Sequence, residues 1–208
     1  MTTTRREQVR NEVREKILTA AREILVAEGI DGLSMRKLAS RIGYTATAIY
    51  FHFADKNAVI QALMDEDCLA LVQSFSEATK VEDPVERLRL IGMCYVRFAI
   101  GNPNHYWVLA MIPYREFVID ANDPRRSDPS QDSYAFLRQS IEIAIQQGCF
   151  RPEYSDVEEI AQMLWATVHG IVSLHLTRGA DPWFAWRDLE TTANHLVTTV
   201  LRGMTTRD

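Results

Sequence analysis

The chain has 208 residues, of which 47% are hydrophobic, and its formal net charge is −5 at pH 7. That length allows one domain or two small ones with an ample core, and the composition excludes a disordered chain. The charge is uneven, because residues 1–60 carry ten Lys or Arg against seven Asp or Glu, a net +3, and the remainder carries −8. A positively charged N-terminal region followed by an acidic remainder is typical of a protein that binds nucleic-acid phosphates only through its N-terminal region.

The sequence also predicts the compartment. The N-terminus is polar and charged, so no signal peptide is expected. The longest uncharged run, residues 160–177, contains two histidines and a glutamine and is short for a membrane span. The three cysteines form no Cys-x-x-Cys pair, which is typical of a reducing environment. We therefore expect a cytoplasmic protein.

A first helix is predicted over residues 9–28, where apolar residues recur at helical spacing. Gly29 follows as its C-terminal stop. The buried stripe consists of Val13, Ile17, Ala20, Ala21, Ile24 and Leu25. Arg14, Lys16 and Arg22 lie off this stripe, so we expect these three side chains to be solvated.

Residues 1–8, which precede this helix, are polar and are predicted to form a mobile arm. Two functions are open for its basic residues, Arg5 and Arg6. They either follow DNA phosphates or only keep the chain soluble.

Residues 33–53 predict two short helices around a turn. Ser34 is a suitable N-cap, and an apolar face follows it at positions i, i+3, i+4 and i+7. Gly43 provides the left-handed residue that ends this helix, and Thr45 is suited to cap the next one. The run 45–53 is also rich in β-branched and aromatic residues, which are common in strands. A strand needs partner strands, however, and no other stretch of the sequence is predicted to form one. The pattern therefore favours a helix-turn-helix, whose second helix enters the DNA major groove.

Further helices are predicted at about 56–80, 84–100, 104–112, 134–147, 156–177 (with Ser155 as the cap) and 186–202. The proline-rich stretch 113–130 is predicted to be a loop, either a lid or disordered. The acidic run 65–67 is predicted to be a solvated face, because adjacent helical residues point in different directions and cannot converge on a metal.

Enzymatic motifs are absent from the sequence. It contains no phosphate-binding glycine loop, nucleophile elbow or His-Glu-x-x-His run. We therefore expect a protein that is not an enzyme and that has neither a cofactor nor a metal.

Several motifs fall in register with a known family. They are Ala21-Arg22-Glu23-Ile24-Leu25 with Gly29, residues 32–39, Gly43-Tyr44, Ile49-Tyr50-Phe51-His52-Phe53 and Asp55-Lys56. Over about residues 10–65 the chain resembles the TetR family of transcriptional regulators. Residues 102–106 and 165–170, the latter a Trp-x-x-x-His-Gly run, resemble the regulatory domain of one subgroup.

This resemblance implies an all-α fold of about nine helices. Residues 1–55 would form a three-helix helix-turn-helix DNA-binding domain with an N-terminal arm. Residues 56–208 would form a larger helical domain for ligand binding and dimerisation.

The resemblance also implies a set of DNA contacts, whose chemistry is suitable. They are Ser34, Arg36, Thr45, Ala46, Thr47, Tyr50, His52 and Lys56. Residues 45–47 would face base edges, and the others would reach phosphates. Tyr50 is expected to reach a phosphate, whereas Phe51 is expected to pack. Since the recognition helix lacks Arg, Asn and Gln, we expect much of the specificity to come from DNA shape.

The C-terminal half is rich in aromatic residues, which predicts a mainly apolar effector pocket with a few polar groups. Its candidate residues are Tyr95, Phe98, Trp107, Met111, Phe117, Phe136, Trp165 and His169. For each of them plain core packing is the alternative.

The last two long helices, about 156–177 and 186–202, are implied to form a four-helix homodimer interface, and the first is apolar nearly all round. The resulting expectation is a homodimeric repressor. It would leave a palindromic double-stranded operator when it binds a small, largely apolar effector. An activator, or a DNA-binding protein without a ligand, is the alternative.

Overall fold

The computed structural model of the chain describes residues 5–113 and 123–206. Its helices are α1 (Arg5–Gly32), α2 (Met35–Ile42), α3 (Ala46–Tyr50), α4 (Lys56–Ser74), α5 (Pro84–Gly101), α6 (Pro103–Tyr106), α7 (Ser133–Gln146), α8 (Val157–Arg178) and α9 (Leu189–Met204). Short helical turns occupy Phe75–Lys80, Trp107–Met111 and Pro124–Ser127. Within the described ranges, β-structure is limited to one isolated bridge between Phe150 and Thr205. The predicted all-α class is confirmed.

Helix α1 starts earlier than the apolar stripe predicts. It begins at Arg5, so Arg5 and Arg6 are helical and the predicted arm is wrong for residues 5–8. A polar turn can extend a helix without an apolar face, because each residue added to a formed helix gains a backbone hydrogen bond. Gly29 has φ 71° and interrupts the regular helix, as the predicted stop requires.

The C-terminal helices start at caps other than those predicted. Asp156, not Ser155, caps α8, and its carboxylate accepts from the backbone N–H of Glu158 at 2.8 Å. Helix α9 starts at Leu189 rather than near 186, because Asp188 accepts from the N–H of Thr191 at 2.8 Å. An aspartate is as good an N-cap as a serine, so the sequence alone left this choice undecided.

Two other predicted segments also differ. The helix predicted for 56–80 is α4 up to Ser74, followed by the tighter turn Phe75–Lys80. Of the predicted loop 113–130, residues 114–122 lie outside the described part of the chain, and Pro124–Ser127 form a helical turn.

The described residues divide into two compact units. The first comprises 5–67 and 104–113, and the second comprises 68–103 and 123–206. The helix-turn-helix lies in the first unit, whose core includes Ile17, Leu38, Ile49, Leu63 and Val108, none of which has exposed surface. The domain boundary expected at residues 55/56 stays a prediction.

In the second unit α5 packs against α7, α8 and α9. Gly92 of α5 lies at a close approach, since a Cβ there would be 3.3 Å from Val168 and 3.4 Å from Val197. Larger residues at this position would separate α5 from α8 and α9. In the part of the chain that the structure describes, no helix has both the length and the apolar character that crossing a membrane requires.

Candidate nucleic-acid interface and aromatic cluster

The first helix of the helix-turn-helix is defined at both ends by its own residues. Ser34 has extended backbone (φ −146°), and its Oγ accepts from the Lys37 N–H at 3.2 Å. Gly43 is left-handed with φ 72°, and the Tyr44 N–H then donates to the Ala39 carbonyl at 2.9 Å. Both predicted helix ends are confirmed, and the turn geometry follows from them.

Helix α3 is short and buries one side. Thr45 Oγ1 accepts from the Ala48 N–H at 3.3 Å, which confirms the predicted cap. Ile49 and Phe53, four residues apart, are buried in the core of the first unit. Tyr50 points away from that core and is 55% exposed.

The eight residues predicted to contact DNA all belong to the first unit. Five of them are exposed: Ser34, Arg36, Thr45, Thr47 and Tyr50. Three are partly exposed: Ala46, His52 and Lys56. Lys56 Nζ donates to the carbonyl oxygen of Ile30 at 3.2 Å, so this ammonium also ties α4 to the end of α1. Their DNA contacts stay predictions.

Phe51 lies on the surface, and the prediction that it packs is wrong. Its side chain is 77% exposed and meets the His52 ring edge-on, with 5.9 Å between ring centroids. The reason is helical geometry: Phe51 is two residues from both Ile49 and Phe53, and residues two apart do not share a helix face. The interface therefore carries an exposed aromatic residue that the sequence pattern did not identify.

The pKa of His52 lies below its ordinary value. Burial lowers the pKa of His52 below 6.5, and the positive charges of Arg10 and Arg14 lower it further. The Arg14 guanidinium lies over the Phe53 ring, 5.5 Å from its centroid. A neutral imidazole still donates one hydrogen bond, so His52 remains able to bind a phosphate oxygen.

Ion pairs hold α2 against α1. Arg41 contacts Glu23 at 2.9 Å, and Lys37 contacts Glu28. These pairs are exposed, so their contribution to stability is small, about 0–1 kcal/mol each.

In the acidic run 65–67, Asp67 is buried, contrary to the predicted solvated face, whereas Asp65 and Glu66 are partly exposed. Asp67 has no exposed surface, and its Oδ1 accepts from Arg22 Nη2 at 2.8 Å. The same oxygen lies 2.7 Å from His105 Nδ1. Arg14 contacts Glu66, so neither Arg14 nor Arg22 is a free surface charge. Helical spacing held the signal, because Asp67 follows the buried Leu63 by four residues.

A second group of polar atoms lies within aromatic surroundings in the second unit. Trp165 Nε1 donates to the Tyr95 hydroxyl at 3.3 Å, and that hydroxyl lies 3.3 Å from His169 Nδ1. Burial lowers the pKa of His169, which favours its neutral form. Tyr134 lies beside Trp165, with 5.9 Å between ring centroids, and donates to Glu158 at 2.8 Å.

The structure gathers only part of the predicted effector set. Tyr95, Trp165 and His169 meet, whereas Phe98 is buried nearby on α5 and Phe136 packs on Phe75 with 5.2 Å between ring centroids. Trp107 and Met111 belong to the first unit, and Phe117 lies outside the described residues. The ligand-binding role of these residues stays a prediction. Among described side chains, no three His, Cys, Asp or Glu are placed to hold a metal ion.

Helices α8 and α9 expose apolar residues that this chain does not cover. Leu174 of α8 is 54% exposed, and Leu196 of α9 is also exposed. In the turn between them Trp183 is 91% exposed, and Phe184 packs on Trp186 with 5.6 Å between ring centroids. Leu174, Trp183, Phe184 and Trp186 line one shallow surface cavity.

Both halves of the chain match known protein families. Residues 17–63 match the family described as bacterial regulatory proteins of the tetR family, and residues 88–200 match the tetracyclin repressor-like C-terminal domain. The HTH-type transcriptional repressor BepR of Brucella suis biovar 1 (strain 1330) is 29% identical over 185 residues, which are 82% of this chain and 84% of BepR.

Solved structures share the fold. A TetR family transcription regulator from Marinobacter aquaeolei VT8 superposes with a TM-score of 0.75 at 18% identity, over 96% of this chain and 99% of the other. The regulator PfmR from Thermus thermophilus gives a TM-score of 0.69 at 22% identity, over 97% of each chain. The chain belongs to the TetR family and is a DNA-binding transcriptional regulator, not an enzyme.

Proposed function

We propose that this protein is a homodimeric repressor that leaves a palindromic operator when a small, largely apolar effector binds. The observation that carries the DNA-binding part is the polar surface of α2 and α3 above an apolar cluster. Ser34, Arg36, Thr45, Thr47 and Tyr50 are exposed there, while the residues beneath them are buried. Polar groups are well solvated at such a surface. Its hydroxyls and guanidinium are able to bind phosphate oxygens and base edges.

Recognition would combine weak base readout with phosphate positioning. Thr47 and Ala46 at the start of α3 suit a thymine methyl group, whereas Arg36 and Tyr50 suit phosphates. Phe51 adds an apolar ring at the same surface, suited to pack on a deoxyribose or a thymine methyl. Helix α3 has no Arg, Asn or Gln side chain to bind a base edge, so sequence preference would depend partly on DNA shape.

Dimerisation would use the outer faces of α8 and α9, where Leu174 and Leu196 are exposed. A two-fold dimer places its two recognition helices about 34–36 Å apart, one turn of DNA, and therefore selects a palindrome. Sedimentation velocity tests this step. A Leu174→Lys variant should shift the dimer toward monomer, and the surface variant Thr79→Lys, far along the chain, should not.

The effector would bind near the hydrogen-bonded chain Trp165–Tyr95–His169 in the second unit. These three polar groups lie among aromatic rings and are neutral, which suits an effector with one hydroxyl or carbonyl group on an apolar body. Trp165 is partly exposed, so a ligand has access to this cluster and would alter its fluorescence.

The test combines DNA selection with ligand titration. Genomic fragments bound by the protein define the operator, and apolar compounds that quench tryptophan fluorescence define ligands. An effector should lower operator affinity by about 5–150-fold, which corresponds to about 1–3 kcal/mol of coupling. A compound that saturates the protein without changing operator affinity would contradict the release mechanism.

Repression is distinguished from activation by the position of the bound site. A footprint that overlaps a promoter supports repression, and one upstream of it supports activation. Because a transcriptional regulator must reach its operator DNA, we propose that the protein is cytoplasmic.

A further inference from the structure

We propose that Arg6 and Arg10, on the part of α1 that precedes the core, bind DNA phosphates beside His52. Neither residue belongs to the eight assigned to DNA above, so the contact surface would extend from the helix-turn-helix onto α1. The inference rests on the DNA-binding surface proposed for α2 and α3 and adds a set of contacts at its edge.

The first two turns of α1 lie outside the core. Residues 5–12 are all exposed, and Val13 is the first buried side chain of the helix. Apolar packing therefore does not determine which side chains this segment carries. Its residues are accessible to a partner outside the chain.

Helical geometry sorts the basic residues of this segment. Successive residues of an α-helix are about 100° apart, so residues four apart lie within about 40° of each other on one side. Arg6, Arg10 and Arg14 therefore form one row along α1. Arg5 lies about 140° from Arg10 and Lys16 about 120° from it, so neither belongs to the row. The two alternatives that the sequence left open for Arg5 and Arg6 together are thus separated by their positions on the helix.

The row runs past the end of the helix-turn-helix. Arg14, its last member, lies over the Phe53 ring, with 5.5 Å from its Cζ to the ring centroid. The next side chain is His52, which is close enough to Arg10 and Arg14 for their positive charges to lower its pKa. Arg10 therefore lies near His52, and Arg6 lies one helical turn further from Val13.

The charges of Arg6 and Arg10 are available to an anion. Arg14 contacts Glu66, which partly compensates its charge. Arg6 and Arg10 are exposed, and neither forms an ion pair with a described residue. A guanidinium presents N–H donors that match two phosphate oxygens at once. The same positive charges that disfavour protonation of His52 favour a phosphate at that position.

Salt dependence measures how many phosphates the protein binds. Fluorescence anisotropy with the full-length chain and the highest-affinity genomic fragment is measured between 50 and 200 mM salt. Each lost phosphate contact makes the log–log slope shallower by about 0.9, so Arg10→Gln should lose about 1.8 in a dimer on a palindrome. Arg6→Gln should act in the same direction. A random-sequence duplex should show a similar loss, because phosphate contacts carry no sequence information.

Two matched variants control for net charge. Lys16→Gln and Arg5→Gln each remove one positive charge from the same helix, on sides away from the row. Their slopes should change by less than about 0.4, half of one phosphate contact. Because Arg10 is exposed, the midpoint of urea unfolding of Arg10→Gln should equal that of the wild type.

Phosphate ethylation locates the contact on the operator. Ethylation neutralises one phosphate, so binding is impaired wherever the protein needs that charge. The wild type and Lys16→Gln should show the same set of interfering phosphates. Arg10→Gln should lose interference at one phosphate in each half-site and keep it at the others.

The failure of this proposal differs from the failure of the proposed DNA surface. An unchanged slope and an unchanged interference pattern in Arg10→Gln, with weaker binding of Tyr50→Ala, overturn the α1 contacts and leave the surface of α2 and α3 standing. If Tyr50→Ala also binds like the wild type, the proposed surface is wrong as well. Equal losses in Arg10→Gln and Lys16→Gln overturn the α1 contacts, since they would show only an effect of net charge. A shallower slope in Arg10→Gln, with loss of one interfering phosphate per half-site and unchanged controls, supports them.

Discussion

The helix-turn-helix and the Tyr95 cluster place their hydrogen bonds at very different distances along the chain. In the helix-turn-helix, Ser34 and Thr45 each accept from the backbone three residues later. In the second unit, the Tyr95 hydroxyl meets Trp165 and His169, which are 70 and 74 residues away. The ends of the helices in the helix-turn-helix therefore depend on contacts that a local pattern encodes. The Tyr95 cluster depends on contacts that exist only once α5 and α8 have packed together.

The largest expected effect separates the buried core of the first unit from its surface. Leu38→Ala removes a side chain with no exposed surface and should cost about 2–5 kcal/mol in unfolding free energy, because the cavity is not filled. Val9→Ala, at a residue that is 52% exposed, should change it by less than about 0.5 kcal/mol. Urea unfolding followed by circular dichroism measures both, and equal effects would contradict the assignment of the core.

Tyr50→Ala tests whether the exposed surface positions the protein on DNA. A hydrogen bond to a charged group is worth about 1.5–3 kcal/mol, so operator and non-specific DNA should both bind about tenfold or more weakly. Fluorescence anisotropy with both DNAs measures this, and Thr79→Ala, at an exposed position outside the helix-turn-helix, α8 and α9, is the control. If the ratio of the two affinities changes, Tyr50 reads bases rather than phosphates.

Tyr95→Phe tests the long-range contacts of the second unit. Removing the hydroxyl leaves Trp165 Nε1 and His169 Nδ1 without this partner and should cost about 0.5–1.5 kcal/mol. Operator affinity without effector should stay at the wild-type value, since the change lies outside the first unit. Thermal unfolding and anisotropy measure these two quantities, with Tyr154→Phe as the matched variant. A large loss of operator affinity would show that the two units are less separable than proposed.

The smallest expected effect concerns protonation of His52. Its pKa lies below 6.5 in the free protein, so it is neutral at pH 7 and a bound phosphate would favour its protonation. Operator affinity should therefore rise as the pH falls from 8 to 6, with a salt dependence steeper by up to about 0.9 in log–log slope. His52→Gln should lack this component. The same pKa predicts the opposite trend for folding, because the unfolded chain binds the proton more readily and stability falls below about pH 6.5. Identical pH profiles of binding for both proteins would exclude a phosphate contact from His52.

Prediction from sequence was most accurate where a feature depends on residues that are close together along the chain. The all-α class, the caps at Ser34 and Thr45, the turn at Gly43 and the burial of Ile49 were predictable, because each depends on residues within four positions. Phe51 was misassigned although its geometry is local, because an aromatic residue beside buried neighbours suggests packing. The start of α9 was wrong because several polar residues near it are equally good caps.

Asp67 shows where local patterns fail. An acidic run reads as a solvated face, and nothing within a few residues of Asp67 indicates that Arg22 and His105 will approach it from two other helices. Burial of that carboxylate depends on the mutual packing of α1, α4 and α6, which compensates a charge that would otherwise be too costly to remove from water. Secondary structure and the DNA-facing surface are thus properties of short segments. The contacts of Asp67 and the Tyr95 cluster arise only from the folded chain, because their partners are brought together by packing.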